Sequence, residues 1–130
     1  MKLVKKLIIL ISLLWLITSC EKKESVALDS EVELSVLSIN CDKTDEEVND
    51  GAILIDVRSE EEYKLSHLDQ AINIPVDVIE EEIVNYVVDK GTPVILYCRS
   101  GNRSSNAAQA LLKLGYYKVY DLGAMDNCQI

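Results

Sequence analysis

Short apolar runs alternate along this chain with longer segments whose apolar residues recur at helical spacing. Five of the runs are typical of strands: 31–38, 52–57, 71–74, 94–97 and 118–122. Four segments between or after them are typical of helices: 41–49, a segment beginning at Glu60, 76–88 and 104–114. Strands that alternate with helices predict an α/β fold in which helices flank a parallel sheet. A chain of 130 residues has room for one such domain.

Two helix starts carry capping signals. Ser59 precedes the acidic run that begins at Glu60, and a serine in this position predicts an N-cap. Thr44 is followed three residues later by Glu47, which is the spacing of a capping box.

The N-terminal segment differs in composition from the rest. Three lysines among the first six residues precede the apolar run 7–17, a pattern typical of a signal peptide and too short for a confident membrane span. The run ends in Ile17-Thr18-Ser19-Cys20, which resembles a bacterial lipoprotein signal. That resemblance implies cleavage after residue 19 and a lipid anchor on Cys20, with 20–30 as a tether and 31–130 as the domain. An uncleaved anchor helix is the alternative, and both place the domain outside the cytoplasm, in the bacterial cell envelope.

The predicted mature chain is strongly acidic. Residues 20–130 contain 10 basic and 22 acidic residues, for a net charge of −12. This charge disfavours nucleic acid as a partner and disfavours electrostatic attachment to anionic lipid. We therefore expect the acyl chains on Cys20 to hold the protein at the membrane.

The segment 94–105 carries the candidate chemistry. Cys98 lies at the carboxyl end of a predicted buried strand, where open α/β sheets place their ligands. The polar loop after it leads into a helix, so backbone N–H groups and the helix dipole can converge on the sulfur. Arg99 and Arg103 add positive charge. All of these effects favour the thiolate and predict a pKa for Cys98 below the free value of ~8.5.

Three motifs together resemble a known family. The loop Cys98-Arg99-Ser100-Gly101-Asn102-Arg103 resembles the six-residue active-site loop of single-domain rhodaneses, the thiosulfate sulfurtransferase family. Residues 54–58 with Glu62 and 67–75 are similar to the N-terminal signature of that family, and 115–123 to its closing segment. The resemblance covers 34–130 and implies a rhodanese-like three-layer fold, with a central, mostly parallel, five-stranded sheet flanked by helices.

The resemblance also implies a reaction. Cys98 would be the nucleophile and would carry sulfur as a persulfide, taken from thiosulfate or a similar anion and passed to cyanide or a thiol. Neither a metal nor an organic cofactor is required. The residues expected to bind the sulfur anion are the rest of the loop and a strand-end pair: Arg99, Ser100, Gly101, Asn102, Arg103, Arg58 and Asp56.

Several of these side chains have structural alternatives. Arg103 could form a salt bridge with an acidic neighbour, and Arg99 could simply face solvent. Asp56 could orient Arg58 by a charged hydrogen bond, so that both residues serve the structure. His67 is the only histidine, and its place in a helix-end motif favours a structural role over acid–base catalysis.

Two other functions compete with free sulfur transfer. A persulfide carrier or redox binding module would deliver sulfur to a protein partner without turnover. A phosphatase or arsenate reductase of related form would carry Cys-x5-Arg, whereas four residues separate Cys98 from Arg103 here. The shorter loop indicates a smaller cradle that suits a single sulfur atom.

The remaining cysteines leave three possibilities open. With Cys20 assigned to lipid, Cys41, Cys98 and Cys128 remain in an oxidising compartment. Cys41 and Cys128 could form a disulfide, or both could be small packing residues. Alternatively, Cys128 could resolve an oxidised or persulfidated Cys98.

Overall fold

Five parallel strands form the centre of the fold, as the sequence predicts. The structure, a computed structural model, describes residues 34–128, so the predicted signal peptide, Cys20 and the tether lie outside the described residues. The sheet has the order β1-β5-β4-β2-β3, with every neighbouring pair parallel. Its strands are β1 (Leu37–Ser38), β2 (Ile53–Asp56), β3 (Ile72–Asn73), β4 (Val94–Cys98) and β5 (Val119–Ala124).

Four α-helices connect the strands. They are α1 (Cys41–Asn49), α2 (Glu60–Leu65), α3 (Ile79–Tyr86) and α4 (Asn102–Lys113), and a 3₁₀ turn at Met125–Asn127 follows β5. In the described part of the chain no helix is both long enough and apolar enough to cross a membrane.

The central strand divides the core into two faces. Side chains alternate along a strand, so Val94, Leu96 and Cys98 point to one face of β4 while Ile95 and Tyr97 point to the other. Buried residues of α3 and α4 pack on the first face, and α1 and α2 contribute partly buried residues to the second. The result is the predicted three-layer fold, with all five residues of β4 buried.

The two capping predictions have different outcomes. Ser59 caps α2 and forms a reciprocal capping box with Glu62, so the prediction of a cap at Ser59 is confirmed. The Thr44–Glu47 capping box is wrong. Asn40 is the N-cap of α1, and its side chain accepts a hydrogen bond from the Lys43 amide at 2.9 Å. Because the helix already begins at Cys41, Thr44 lies inside it, buried, and donates its hydroxyl to the Asn40 carbonyl at 2.8 Å.

Candidate active site

Cys98 is the last residue of the central strand and lies at the carboxyl edge of the sheet. Strand β5 pairs beside it, with Ala124 opposite Cys98 in the register. The side chain is fully buried in the core on the side of α3 and α4, and Cys98 is the free cysteine of the described chain. Cys98 therefore lies at the carboxyl end of β4, directly before the polar loop in sequence, which confirms the prediction.

The loop turns back on the sulfur through a left-handed glycine. Gly101 is the N-cap of α4 and has φ of 91°, a backbone conformation that side chains disfavour. Its amide donates a hydrogen bond to Cys98 Sγ at 3.0 Å. A Cβ on Gly101 would lie 3.6 Å from the Gly123 Cα in β5, so the loop packs closely on that strand.

Ser104, in the first turn of α4, completes the surroundings of the sulfur. It is fully buried, and its hydroxyl oxygen lies 3.7 Å from Cys98 Sγ. The same hydroxyl donates to the Gly101 carbonyl at 3.1 Å, which ties the helix start to the loop. The sulfur therefore lies between the Gly101 amide, which donates to it, and the Ser104 hydroxyl oxygen.

These donors favour the ionised form of Cys98. Burial raises the pKa of Cys98, but hydrogen bonds with the backbone of Ser104, Ser100 and Gly101 and with the Ser104 side chain lower it by more. The net result is a pKa below the ordinary value of the thiol, as the sequence predicts. The positive charge of Arg103 also interacts favourably with the Cys98 thiolate, in the predicted direction. The site can thus hold a negatively charged sulfur without a neighbouring base.

Arg103 is held by an acidic residue from a distant helix. Its guanidinium donates two hydrogen bonds to Glu62 of α2, from Nη1 to Oε2 at 2.6 Å and from Nη2 to Oε1 at 3.0 Å. The hydrogen bond with Arg103 is the main cause that lowers the pKa of Glu62 to about 2, against the effect of burial. The salt-bridge alternative for Arg103 is therefore the one observed. Its predicted contact with a donor anion stays a prediction.

Asp56 and Arg58 form a buried ion pair at the end of β2. Arg58 Nε lies 3.0 Å from both carboxylate oxygens of Asp56, and Nη2 lies 2.6 Å from Oδ2. Nη2 also donates to the Ser66 carbonyl. Asp56 is fully buried and Arg58 is 5 % exposed. Since this geometry uses the guanidinium inside the protein, it favours the structural alternative over the predicted role in binding a sulfur anion.

The remaining loop residues face outward. Arg99, Ser100 and Asn102 are exposed, on the solvent side of the loop. Their predicted roles in binding a sulfur anion stay predictions, and the exposure of Arg99 is compatible with either of its alternatives. The buried side of the loop is formed by Gly101 and Ser104.

His67 belongs to the end of α2 and has local partners. Its ring stacks on Tyr63 with centroids 3.8 Å apart, and Nδ1 donates to the Tyr63 carbonyl at 2.8 Å. This arrangement agrees with the structural role that the sequence favours.

Cys41 and Cys128 are joined in a disulfide, with Cα atoms 5.4 Å apart. Both pack beside the core face formed by Ile95 and Tyr97, whereas Cys98 belongs to the opposite face. Of the three possibilities for these cysteines, the disulfide is therefore the one observed. The resolving role for Cys128 is wrong in this structure, because its sulfur is bonded to Cys41 and the sheet separates it from Cys98.

Two residues of the site have roles that the sequence analysis does not predict. Glu62 is expected there only in an acidic helix start and in the family signature, although its position three residues after Ser59 already predicts a capping box. Ser104 is expected only as the start of a helix, and nothing in its local pattern shows that it is buried against Cys98. Within residues 34–128 no group of three metal-ligating side chains comes together.

Comparisons with known proteins agree with this geometry. The thiosulfate sulfurtransferase PspE of Escherichia coli is 39% identical over 73 residues, which are 56% of this chain and 70% of PspE. A tRNA uridine(34) hydroxylase of Buchnera aphidicola is 34% identical over 79 residues, but the match spans 57% of this chain and only 25% of that enzyme. The solved structure of a rhodanese with anions from E. coli superposes with a TM-score of 0.59 at 35% identity, covering 62% of this chain and 94% of that one.

A family assignment follows from these similarities together with the fold. The described domain has the five-stranded parallel sheet and helical layers expected of the family, and it has a cysteine at the end of its central strand. The rhodanese-like domain family matches residues 40–127, which include every helix of the described domain and all strands but the short β1. The chain therefore belongs to the rhodanese-like family of sulfurtransferases.

Proposed function

We propose that this protein transfers sulfane sulfur from thiosulfate or a similar donor to cyanide or a thiol. In the first step the Cys98 thiolate attacks the outer sulfur of thiosulfate, the S–S bond of the donor breaks, and sulfite leaves with the bonding electron pair. Cys98 then carries a persulfide. In the second step cyanide attacks the terminal sulfur and leaves as thiocyanate, which returns Cys98 to the thiolate.

One observation carries the proposal: the Gly101 amide donates to Cys98 Sγ at 3.0 Å inside a loop that lowers the pKa of the thiol. A sulfur nucleophile needs to be ionised, and backbone donors supply this stabilisation without a base. The same kind of donor can stabilise the anionic terminal sulfur of a persulfide, as an oxyanion hole stabilises oxygen. The name of the E. coli relative PspE, a thiosulfate sulfurtransferase, supports thiosulfate as the donor.

Mass spectrometry on the full chain in detergent tests the first step. We expect incubation with thiosulfate to release sulfite and to add one sulfur atom at Cys98. The Cys98→Ser variant should gain no sulfur. Ser105→Ala, which changes an exposed residue of α4, should gain sulfur at the wild-type rate. If neither thiosulfate nor a polysulfide loads Cys98, the proposed sulfur transfer is wrong.

The second step separates an enzyme from a carrier. Cyanide added to the loaded protein should remove the extra sulfur and produce thiocyanate over many cycles. Loading without discharge by cyanide or small thiols would favour the alternative, a persulfide carrier that delivers sulfur to a protein partner. The complete burial of Cys98 makes this comparison informative, because small acceptors and protein acceptors face different steric demands.

Export and anchoring form a second part of the proposal. We propose that residues 1–19 are removed, that Cys20 carries lipid, and that the domain lies in the bacterial cell envelope. The Cys41–Cys128 disulfide supports this location, because disulfides persist mainly in oxidising compartments. Intact mass and radiolabelled palmitate incorporation in cells test it. Wild-type protein should incorporate label, Cys20→Ser should not, and an unprocessed, unlabelled wild type would contradict the proposal.

A further inference from the structure

The Cys41–Cys128 disulfide joins the first helix of the described domain to the segment after its last strand. Cys41 is the first residue of α1, and Cys128 follows the 3₁₀ turn Met125–Asn127. The bond closes a loop between positions 87 residues apart, which contains β2, β3, β4 and β5. It thus ties the segment after the last strand, residues 125–128, to the first helix. We call this segment the C-terminal turn.

A cleft lies beside the disulfide. Its volume is about 680 Å³, and both cysteines contribute to its wall. Neither cysteine is fully buried, in contrast to Cys98 on the opposite face of the sheet. An attacking thiolate in the cleft would have a path to this disulfide that does not pass through the Cys98 site.

Apart from its continuation from β5, the C-terminal turn is attached mainly through this bond. Among the described residues, the backbone hydrogen bond found for Cys128 runs to the Met125 carbonyl, inside the turn itself. Met125 and Cys128 add partly buried contacts with the core face of Ile95 and Tyr97. Breaking the disulfide would leave these apolar contacts as the main attachment.

The C-terminal turn also begins directly beside the reactive sulfur. Ala124, the residue before it, pairs with Cys98, and Gly123 lies against Gly101. Gly101 in turn donates its amide to Cys98 Sγ. A displacement of the turn would therefore pass to β5 and then to the loop that ionises the cysteine.

We propose that the cleft beside Cys41–Cys128 is a redox site separate from the Cys98 site, at which a dithiol reduces the disulfide and thereby slows sulfur transfer at Cys98. A thiolate of the dithiol attacks one sulfur, the Cys41–Cys128 bond breaks, and the other cysteine leaves as a thiolate. The second thiol of the dithiol, as its thiolate, then attacks the dithiol's own sulfur in the mixed disulfide, that bond breaks, and the remaining protein cysteine leaves as a thiolate. The dithiol loses two electrons and becomes a disulfide, while Cys41 and Cys128 gain them as thiols.

Charge around the cleft selects among reductants. Asp42, Asp45 and Asp69 line it, so an anionic thiol is repelled and a neutral or cationic one is not. At equal thiolate concentration we expect cysteamine to reduce the disulfide faster than 2-mercaptoethanesulfonate. The paired substitution Asp42→Asn with Asp45→Asn should shrink that difference. Glu80→Gln with Glu81→Gln removes the same charge from α3, which packs on the other sheet face, and should leave the difference unchanged.

The test uses the full chain in detergent with Cys20→Ser, so that Cys98 is the one thiol outside the disulfide. Dithiothreitol is added under native conditions and then removed. Peptide mass spectrometry measures which cysteines have become reactive to iodoacetamide. Sulfur loading from thiosulfate is compared in the oxidised protein, the reduced protein and a double variant, Cys41→Ala with Cys128→Ala.

We expect Cys41 and Cys128 to become reactive without denaturant and loading to slow by about tenfold, because displacements of about 1 Å in a reactive site can cost up to 100-fold. The double variant should take up sulfur from thiosulfate at the same rate as the reduced protein. Circular dichroism should show that both stay folded. A disulfide that resists native reduction, an unchanged loading rate after reduction, or unfolding upon reduction would each overturn the proposal.

The slower sulfur transfer rests on the proposed function, but the coupling has a second readout. The pH dependence of Cys98 alkylation by iodoacetamide reports the pKa of the thiol whether or not the protein transfers sulfur. Reduction should raise that pKa, because the Gly101 donor is loosened. If the oxidised protein fails to load sulfur while the pKa still responds to reduction, the proposed function is wrong and the redox coupling holds.

Discussion

Arg103 and Glu62 are 41 residues apart in sequence and form a bidentate salt bridge at the edge of the reactive loop. The same carboxylate also accepts the Ser59 amide at 3.2 Å, as the second half of the capping box of α2. Glu62 therefore connects the start of one helix to the start of another. Because Arg103 lies in the first turn of α4, this pair ties the end of the reactive loop to the start of α2.

The first prediction concerns the activity of Glu62→Gln. The amide keeps the size of the side chain but removes the charge that holds Arg103, so the loop gains freedom. We expect the rate of sulfur loading at Cys98 to fall by about tenfold, a typical loss when reacting groups are less well positioned. Stopped reactions followed by mass spectrometry measure it. Glu60→Gln, which removes an exposed carboxylate paired with Lys64, is the control and should load at the wild-type rate.

The second prediction is that Glu62 stabilises the fold at neutral pH and ceases to do so in acid. Its pKa of about 2 in the folded protein lies below the ordinary value of 4.5. The folded state thus binds fewer protons, so the stabilisation is fully present above the unfolded pKa and is lost as pH falls from about 4.5 to about 2. The side chains of Arg103 and Glu62 are 35% and 30% exposed, which limits the effect through solvent screening.

Urea denaturation measures this prediction. Glu62→Gln should lower the free energy of unfolding by about 1 kcal/mol at neutral pH, and the difference from wild type should shrink toward about pH 3. A difference that stays constant between neutral and acidic pH would show that the loss comes from packing rather than from the charge.

The third prediction concerns Gly101→Ala. An alanine at φ of 91° is strained, and its Cβ would contact the Gly123 Cα at 3.6 Å. The amide that donates to Cys98 Sγ is part of this strained residue, so its hydrogen bond should weaken and the pKa of Cys98 should rise. The pH dependence of Cys98 alkylation by iodoacetamide measures that rise.

Gly51→Ala is a matched control. Gly51 has φ of 103°, but an added methyl group there would have nothing within 4 Å, and the residue lies in the turn before β2. Both variants should therefore lose about 1–2 kcal/mol of stability from backbone strain, and only Gly101→Ala should change the reactivity of Cys98. Equal changes in reactivity would mean that general destabilisation, rather than the lost donor, raises the pKa.

Local pattern was sufficient to predict the strand, loop and helix around Cys98. An apolar run of residues that favour strands, a polar loop and a run of helix formers are all local signals. The structure has β4 and α4 at the positions that these signals predict. The edge strands are less well predicted. The segment 71–74 pairs only at Ile72–Asn73, because pairing depends on the partner strand β2 and not on the local pattern.

Contacts between distant segments account for what the sequence left open. Nothing near Arg103 shows whether it binds an anion or an acid, since its partner Glu62 is brought there by the packing of α2. The same is true of the disulfide, because the approach of Cys41 and Cys128 depends on the path of β5. The sequence of the loop therefore predicts its own contacts with Cys98, but it does not predict which residues from distant segments pack against the loop.

The last prediction concerns the buried pair Asp56 and Arg58. Asp56→Asn leaves the guanidinium of Arg58, which is 5 % exposed, without its counter-charge. Breaking a buried pair in this way typically costs about 3–5 kcal/mol of stability, because the remaining charge is desolvated. Arg58→Met should be similarly costly, since it leaves the fully buried carboxylate of Asp56 alone.

The double variant decides whether charge or shape causes these losses. Asp56→Asn combined with Arg58→Met removes both charges at once, so it should be less destabilised than the sum of the single variants. Urea denaturation of the four proteins gives the coupling energy, which we expect to be about 2 kcal/mol in favour of the double variant. Sulfur loading at Cys98 should persist in the folded double variant, because the pair acts inside the protein and not on the sulfur anion. Loss of loading in a folded double variant would instead support the binding role that the sequence predicted for Asp56 and Arg58.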